Sequence, residues 1–210
     1  MKKILIIIPL MCFLFAANAQ DSKQKDFNKH EIMAGYGYFS NVDVRVKLAL
    51  AFDNFTQNFT QYYEIPLDSL HRYGDFHLSY KYRVSKRILV GAAIMYAPMK
   101  TTVLNRTSLE GENKKKMGDL RYHIFTVAPE MNVLYIANPT FKMYGNFGVG
   151  FTFGMIHFKN VANETNHKWS KYFNYHIAPV CFRFGSNVGG FIELGWGYKG
   201  IVNGGVFFNF

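Results

Sequence analysis

The chain has 210 residues, of which 49% are hydrophobic and 18% aromatic, and it carries a formal charge of +10. Two cysteines exclude the disulfide-dense secreted scaffolds, and the length fits a single domain. Beyond the amino-terminal segment, no run of roughly 20 apolar residues is available to cross a membrane as a helix.

"MKKILIIIPLMCFLFAANAQ" places Lys2 and Lys3 before an apolar run and closes it with Ala17-Asn18-Ala19. That is the pattern of a secretory signal peptide over residues 1–19. Its removal leaves residues 20–210 as one domain with Cys181 as its single cysteine, and the loss of two lysines lowers the charge from +10 to +8. In an exported chain this basic balance suits anionic lipid headgroups, and no nucleic-acid partner is expected.

A first strand is expected at about 31–39. Residues 40–73 have two readings. "VDVRVKLALAF" alternates like an extension of that strand, whereas Leu48, Phe52, Phe55 and Phe59 recur at helical spacing. The favoured reading is an amphipathic helix or ordered cap at a barrel rim. "DFHLSYKYRV" then sets Phe76, Leu78, Tyr80, Tyr82 and Val84 on one face, and His77, Ser79, Lys81 and Arg83 on the other. "ILVGAAIMYA" aligns Ile88, Val90, Ala92, Ile94 and Tyr96. With Ser85-Lys86-Arg87 as a three-residue loop, Val84 faces Ile88 and Phe76 faces Tyr96, so apolar meets apolar.

Further strands are expected at about 120–135, 142–157, 172–184, 189–198 and 202–210, which brings the total to eight. Pro129 and Pro179 cannot donate to a ladder, and a bulge or break is expected at each. The loop Asn187-Val188-Gly189 would set Phe184 against Ile192 and Arg183 against Glu193, an ion pair inside the barrel. The loop Lys199-Gly200-Ile201 would set Leu194 against Val206 and place Trp196 over Gly204.

The apolar face is rich in Tyr, Trp and Phe, while the opposite face carries Gly, Ser, Lys, Arg and Glu. Turning the glycine-rich polar face inward gives an all-β, eight-stranded antiparallel transmembrane β-barrel with aromatic girdles. Lys81, Arg83, Arg183 and Glu193 should point into the lumen, with Glu130 and Arg121 as additions if the proline bulges allow. Eight strands leave an interior that side chains fill, which argues against a porin.

"GGFIELGWGYKGIVNGGVFFNF" together with "FHLSYKYRVSKRILVGAAIMY" resembles the small outer-membrane β-barrel proteins of Bacteroides-type bacteria, similar to OmpA/OmpX-like eight-stranded barrels. The resemblance implies an outer-membrane location and contact with outer-membrane lipids and lipopolysaccharide. It also implies that Val206, Phe208 and Phe210 form the signal that the barrel-assembly machinery reads. The family has no common activity, and a monomer is expected.

No catalytic set, cofactor site or metal site is recognisable. His77 and Ser79 are the candidates for lipid chemistry, yet "HLS" lacks the context of a deacylase strand. The seven histidines are scattered, with no H-x-H or C-x-x-C spacing. Lys114, Lys115 and Lys116 are a solvated charge run or a contact for lipopolysaccharide phosphates. The expected role is a non-enzymatic barrel serving surface contact, adhesion or the envelope. The alternatives are a carrier or conduit for small apolar molecules and a lipid-modifying enzyme.

Overall fold

The computed structural model describes residues 28–56, 63–64, 66, 69–105, 116–160 and 165–210. The expected signal peptide at 1–19, Phe59, Lys114 and Lys115 lie outside the described residues. In chain order the elements are β1 (His30–Tyr38), α1 (Asn41–Thr56), β2 (Tyr63–Glu64), β3 (His71–Arg72), β4 (Asp75–Arg83), β5 (Ile88–Asn105), β6 (Lys116–Ala137), β7 (Phe141–Asn160), β8 (Thr165–Gly185), β9 (Val188–Gly197) and β10 (Val202–Asn209). Eight of these strands, β1 and β4 to β10, close on themselves as an antiparallel transmembrane barrel. Closure is made by β1 lying between β10 and β4, from Glu31 opposite Asn209 to Tyr38 opposite Val202. The two short strands β2 and β3 continue the β4 side of β5 upward, with His71 opposite Lys100.

Period-two alternation sets the faces. Leu78, Ile94, Val127, Phe151, Phe173 and Ile192 point outward and stay exposed, while their neighbours point in and are buried. An exposed apolar band around a closed sheet is the surface that lipid covers. Near the chain termini, Tyr80, Tyr82, Phe208 and Phe210 are outward-facing, and the rings of His30 and Phe210 stack at 5.3 Å. Strands β5 to β8 have 18 to 22 residues, about twice the 9 to 11 that a bilayer needs, so they rise past it as a ribbon.

Hairpin β4–β5 has the expected register, with Phe76 opposite Tyr96 and Tyr82 opposite Val90. Hairpin β8–β9 is two residues away from the expected one. Its pairing closes at Gly185 opposite Gly189, so Arg183 faces Phe191 and Glu193 faces Cys181. The cause is β10: the Asn209 backbone N–H donates to Asn187 O at 2.7 Å, and its side-chain amide donates to Ser186 O at 2.8 Å. Those bonds hold Ser186 and Asn187 at the turn.

Hairpin β9–β10 is four residues away from the expected one. Val202 faces Leu194, and Gly204 lies opposite Ile192 rather than under Trp196. Gly197 and Gly200 have φ of 150° and 99°, and this lets the chain fold Tyr198 and Lys199 into the lumen. There the Tyr198 hydroxyl donates to Glu130 at 2.7 Å. Both shifts are even, so the paired side chains keep their expected faces, but Tyr198, expected on the outer apolar face opposite Val202, is turned into the lumen instead.

At Pro179 the register of β8 against β9 shifts between Ile177 and Val180, and the buried positions switch from Asn174, His176 and Ala178 to Cys181 and Arg183. This is a bulge, as expected. Pro129 only interrupts the β6–β7 ladder, because Val127 opposite Phe151 and Glu130 opposite Gly148 share one register. Burial alternates unbroken across it, so Glu130 points in. Arg121 lies on the outer surface, contrary to the expectation that it joins the lumen.

Segment 40–73 opens as a helix, and of the expected apolar row only Leu48 can be placed, since the side chains of Phe52 and Phe55, like Phe59, lie outside the described residues. Val42 and Leu50 are buried with Val46 against them, whereas Leu48 is exposed. The mouth of the barrel takes the 42/46/50 stripe because Met95, Met99, Val103, Leu120 and Ile124 present an apolar wall on the inner side of the ribbon.

One close approach fixes the inward turn. A Cβ built on Gly37 would lie 1.7 Å from the Lys199 carbonyl oxygen. Gly37→Ala is therefore expected to displace the turn and cost more than about 3 kcal/mol, in the range reserved for specific steric or packing defects. Unfolding midpoints in lipid vesicles would measure it, and a wild-type midpoint would contradict this account.

Candidate functional site in the lumen and at its mouth

The lumen is built in three layers. Nearest the termini, Arg183 pairs with Glu31, both essentially buried, and its guanidinium stacks 4.1 Å from the Tyr144 ring. Glu193 does not take Arg183 as its bonding partner. It accepts instead from the Tyr144 hydroxyl at 2.8 Å and from the Asn146 amide at 3.1 Å, with His176 at 3.8 Å. The expected Arg183–Glu193 pair is thus replaced by two separate contacts, as the two-residue difference in register requires. Arg83 is half-buried at the lower rim, where it donates to the Asn28 and Lys86 carbonyls.

The middle layer centres on Glu130. Lys81 approaches it at 2.9 Å and Lys199 at 2.6 Å, and Lys81 also donates to Asn132 at 2.6 Å. Lys81, Lys199, Glu130 and Glu193 balance two cations against two anions in a layer that water does not reach. Buried charges are tolerable only when compensated in this way. His77 and Ser79 face this layer and are buried. Both His77 nitrogens and the Ser79 hydroxyl lack a hydrogen-bond partner among the described residues, so the two side chains form no nucleophile–base couple.

The upper layer is the mouth. Phe39, with φ of 60°, turns the chain sharply from β1 into α1. Ser40 caps the helix: its backbone N–H donates to Asp43 at 2.6 Å, and its hydroxyl lies 3.3 Å from both Asp43 and Asp75. Arg72 pairs with Asp43 and covers the Tyr38 ring at 4.4 Å. Burial raises the Asp43 carboxyl above its ordinary value, and Arg72 opposes the rise. Asn41 donates to Asn174 at 2.6 Å, which continues through Thr152 to Thr126. The helix start is thereby tied to β3, β4 and β8.

Filled middle and tied mouth together leave no continuous water path among the described residues. The chain is accordingly expected to show no steady single-channel conductance in planar bilayers. Stable open-channel steps at neutral pH would contradict a filled lumen.

On the outer surface the structure gathers residues that the sequence scatters. His123, His157 and His167 stand side by side on β6, β7 and β8, above the bilayer-spanning part of the strands. Desolvation among the rings, then repulsion from His167, His123 and Arg121, lowers the His157 pKa. Only strand pairing brings them together, so no spacing motif announces them.

No protein-family model matches the chain, and no curated protein matches it. Among solved structures it is similar to Ail, the attachment invasion locus protein of Yersinia pestis, at 13% identity over 87% of this chain and 95% of that one, with a TM-score of 0.42. A second structure of Ail, in complex with the heparin analogue sucrose octasulfate, is similar at 14% identity over the same shares, with a TM-score of 0.39.

Proposed function

We propose that this chain is an exported outer-membrane barrel of the Bacteroides-type small-barrel family, non-enzymatic, whose work is surface contact in adhesion or in the envelope. One observation carries the reading: the lumen is occupied by paired charges and closed by a helix, while β5 to β8 project well beyond the bilayer. A structure that spends its interior on self-support and its length on a projecting ribbon is organised to present a surface. The upper half of β8, from Thr165 to Asn174, pairs only with β7 among the described residues, so the ribbon ends in an available sheet edge. Residues 1–19 act as the export signal, the lipid-facing girdles and basic rim meet outer-membrane lipids and lipopolysaccharide, and the barrel works as a monomer. Val206, Phe208 and Phe210, all on the outer face, serve the assembly machinery as its recognition strip.

The test uses intact cells with and without the gene. External protease should cut the ribbon side, binding to host or neighbour surfaces should fall on deletion, and the lipid A mass profile should be unchanged. A changed lipid A profile would overturn the non-enzymatic reading in favour of lipid modification. Full protection from external protease would overturn surface presentation.

A further inference from the structure

Three imidazoles from three neighbouring strands share one patch of the outer ribbon surface. His157 lies directly opposite His167 in the β7–β8 ladder. On its other side His157 lies opposite Arg121, which puts His123 two residues farther along β6 on the same face. The His157 and His167 ring centroids are 4.4 Å apart and those of His123 and His157 are 5.4 Å apart, both edge to face. His157 Nε2 is buried within this group and has no hydrogen-bond partner among the described residues.

The donors are also oriented. His123 Nδ1 lies 2.8 Å from the Tyr96 hydroxyl. An Nδ1–H donated to that oxygen leaves the Nε2 lone pair free, which is how outer-shell groups fix the tautomer of metal-bound histidines. Directly opposed residues on antiparallel strands have Cβ atoms about 5 Å apart, within reach of one ion bound at about 2.0 Å by two imidazoles.

We propose that His123, His157 and His167 form a surface site for a borderline divalent transition metal: Zn²⁺, Ni²⁺ or Cu²⁺. Imidazole nitrogen selects these ions over Ca²⁺ and Mg²⁺, which take oxygen ligands. Among the described residues no three such side chains already surround one point. The cross-strand pair His157–His167 therefore turns its rings to take up the ion, and His123, held by Tyr96, presents its Nε2 as the third ligand. Arg121 is the adverse neighbour, and its exposed side chain is free to swing outward. The proposal does not rest on the cellular role given above, since the site belongs to the folded barrel alone.

The experiment titrates Cu²⁺, Ni²⁺ and Zn²⁺ into the tag-free full-length mature barrel, refolded in detergent and held in a non-coordinating buffer. Calorimetry gives stoichiometry and affinity, and Cu²⁺ electron paramagnetic resonance counts bound nitrogens. The expected result is one ion per chain, Cu²⁺ tightest, with two or three nitrogens coupled. His157→Asn and His167→Asn should each weaken binding by at least about tenfold, Tyr96→Phe should weaken it to a smaller degree, and Arg121→Gln should strengthen it. His30→Asn and His71→Asn, elsewhere on the surface, should leave it unchanged. Heat-modifiable gel migration confirms that each variant is folded. Absence of saturable binding at one ion per chain, a single coupled nitrogen, or wild-type affinity in both His157→Asn and His167→Asn would overturn the site.

Discussion

Glu130→Gln is expected to be the most damaging single polar change in the barrel, costing about 3–5 kcal/mol, because it strands two buried ammonium groups at once. Lys81 and Lys199 both bond to this carboxylate, at 2.9 and 2.6 Å, and neither is exposed. The Tyr198 hydroxyl, which donates to the same carboxylate, is left with a neutral amide oxygen as its acceptor, so the anchor of the inward turn between β9 and β10 weakens as well. Adding Lys81→Met to Glu130→Gln should recover more than half of the loss, since it removes one of the two uncompensated charges and leaves Lys199 to Glu193. Equilibrium unfolding in lipid vesicles measures all three proteins. A Glu130→Gln barrel as stable as wild type would mean that the middle layer does not hold the lumen together.

Arg183 and Glu31 are expected to show the strongest pairwise coupling. Both are fully buried and bonded to each other, and Arg183 is further held against the Tyr144 and Phe207 rings at 4.1 and 5.8 Å. Glu31→Gln and Arg183→Met should each cost about 3–5 kcal/mol, because each leaves a buried charge without its directly bonded counter-charge. The double variant should cost about 2 kcal/mol less than the sum of the singles. The same cycle with Glu193→Gln in place of Glu31→Gln should come out closer to additive, because Glu193 bonds to Tyr144 and Asn146. Strong coupling to Glu193 and none to Glu31 would restore the register read from the Asn187-Val188-Gly189 loop.

The contrast between those two registers shows where sequence reasoning stopped. Alternation is a local signal, so the faces of Leu78, Lys81, Ile192 and Glu193 could all be read from the chain. The β4–β5 register could be read too, because the turn is closed locally, with the Ser85 hydroxyl accepting from the Arg87 and Ile88 backbone N–H groups. The last two hairpins are set from a distance: Asn209 of β10 fixes the Ser186–Asn187 turn, and Glu130 of β6 draws Tyr198 and Lys199 inward. No loop composition carries that information. The Pro129 and Pro179 signals looked alike, yet only Pro179 shifts register, because its strand has a bulge against β9 while β6 keeps one register with β5 across Pro129, from Val133 opposite Ile88 to Gly118 opposite Val103. The packed stripe of the helix was not legible: Leu48 and Val46 are similar in a periodicity count, and the Met-rich wall of the mouth takes Val42, Val46 and Leu50. The histidine patch was invisible because its members are 34 and 10 residues apart on different strands.

Closure of the cylinder by its first and last strands also governs how the protein can come into being. Glu31 meets Asn209, and His30 exchanges backbone hydrogen bonds with Phe210, so the seam joins segments far apart along the chain. Until β10 exists, β1 and β9 each present an unpaired edge, and in lipid every such edge leaves donors and acceptors unsatisfied. A nascent chain therefore has no stable halfway sheet to rest in. Removing both open edges takes the pairing of β10 with β1 and with β9 together, so the seam forms as one cooperative step.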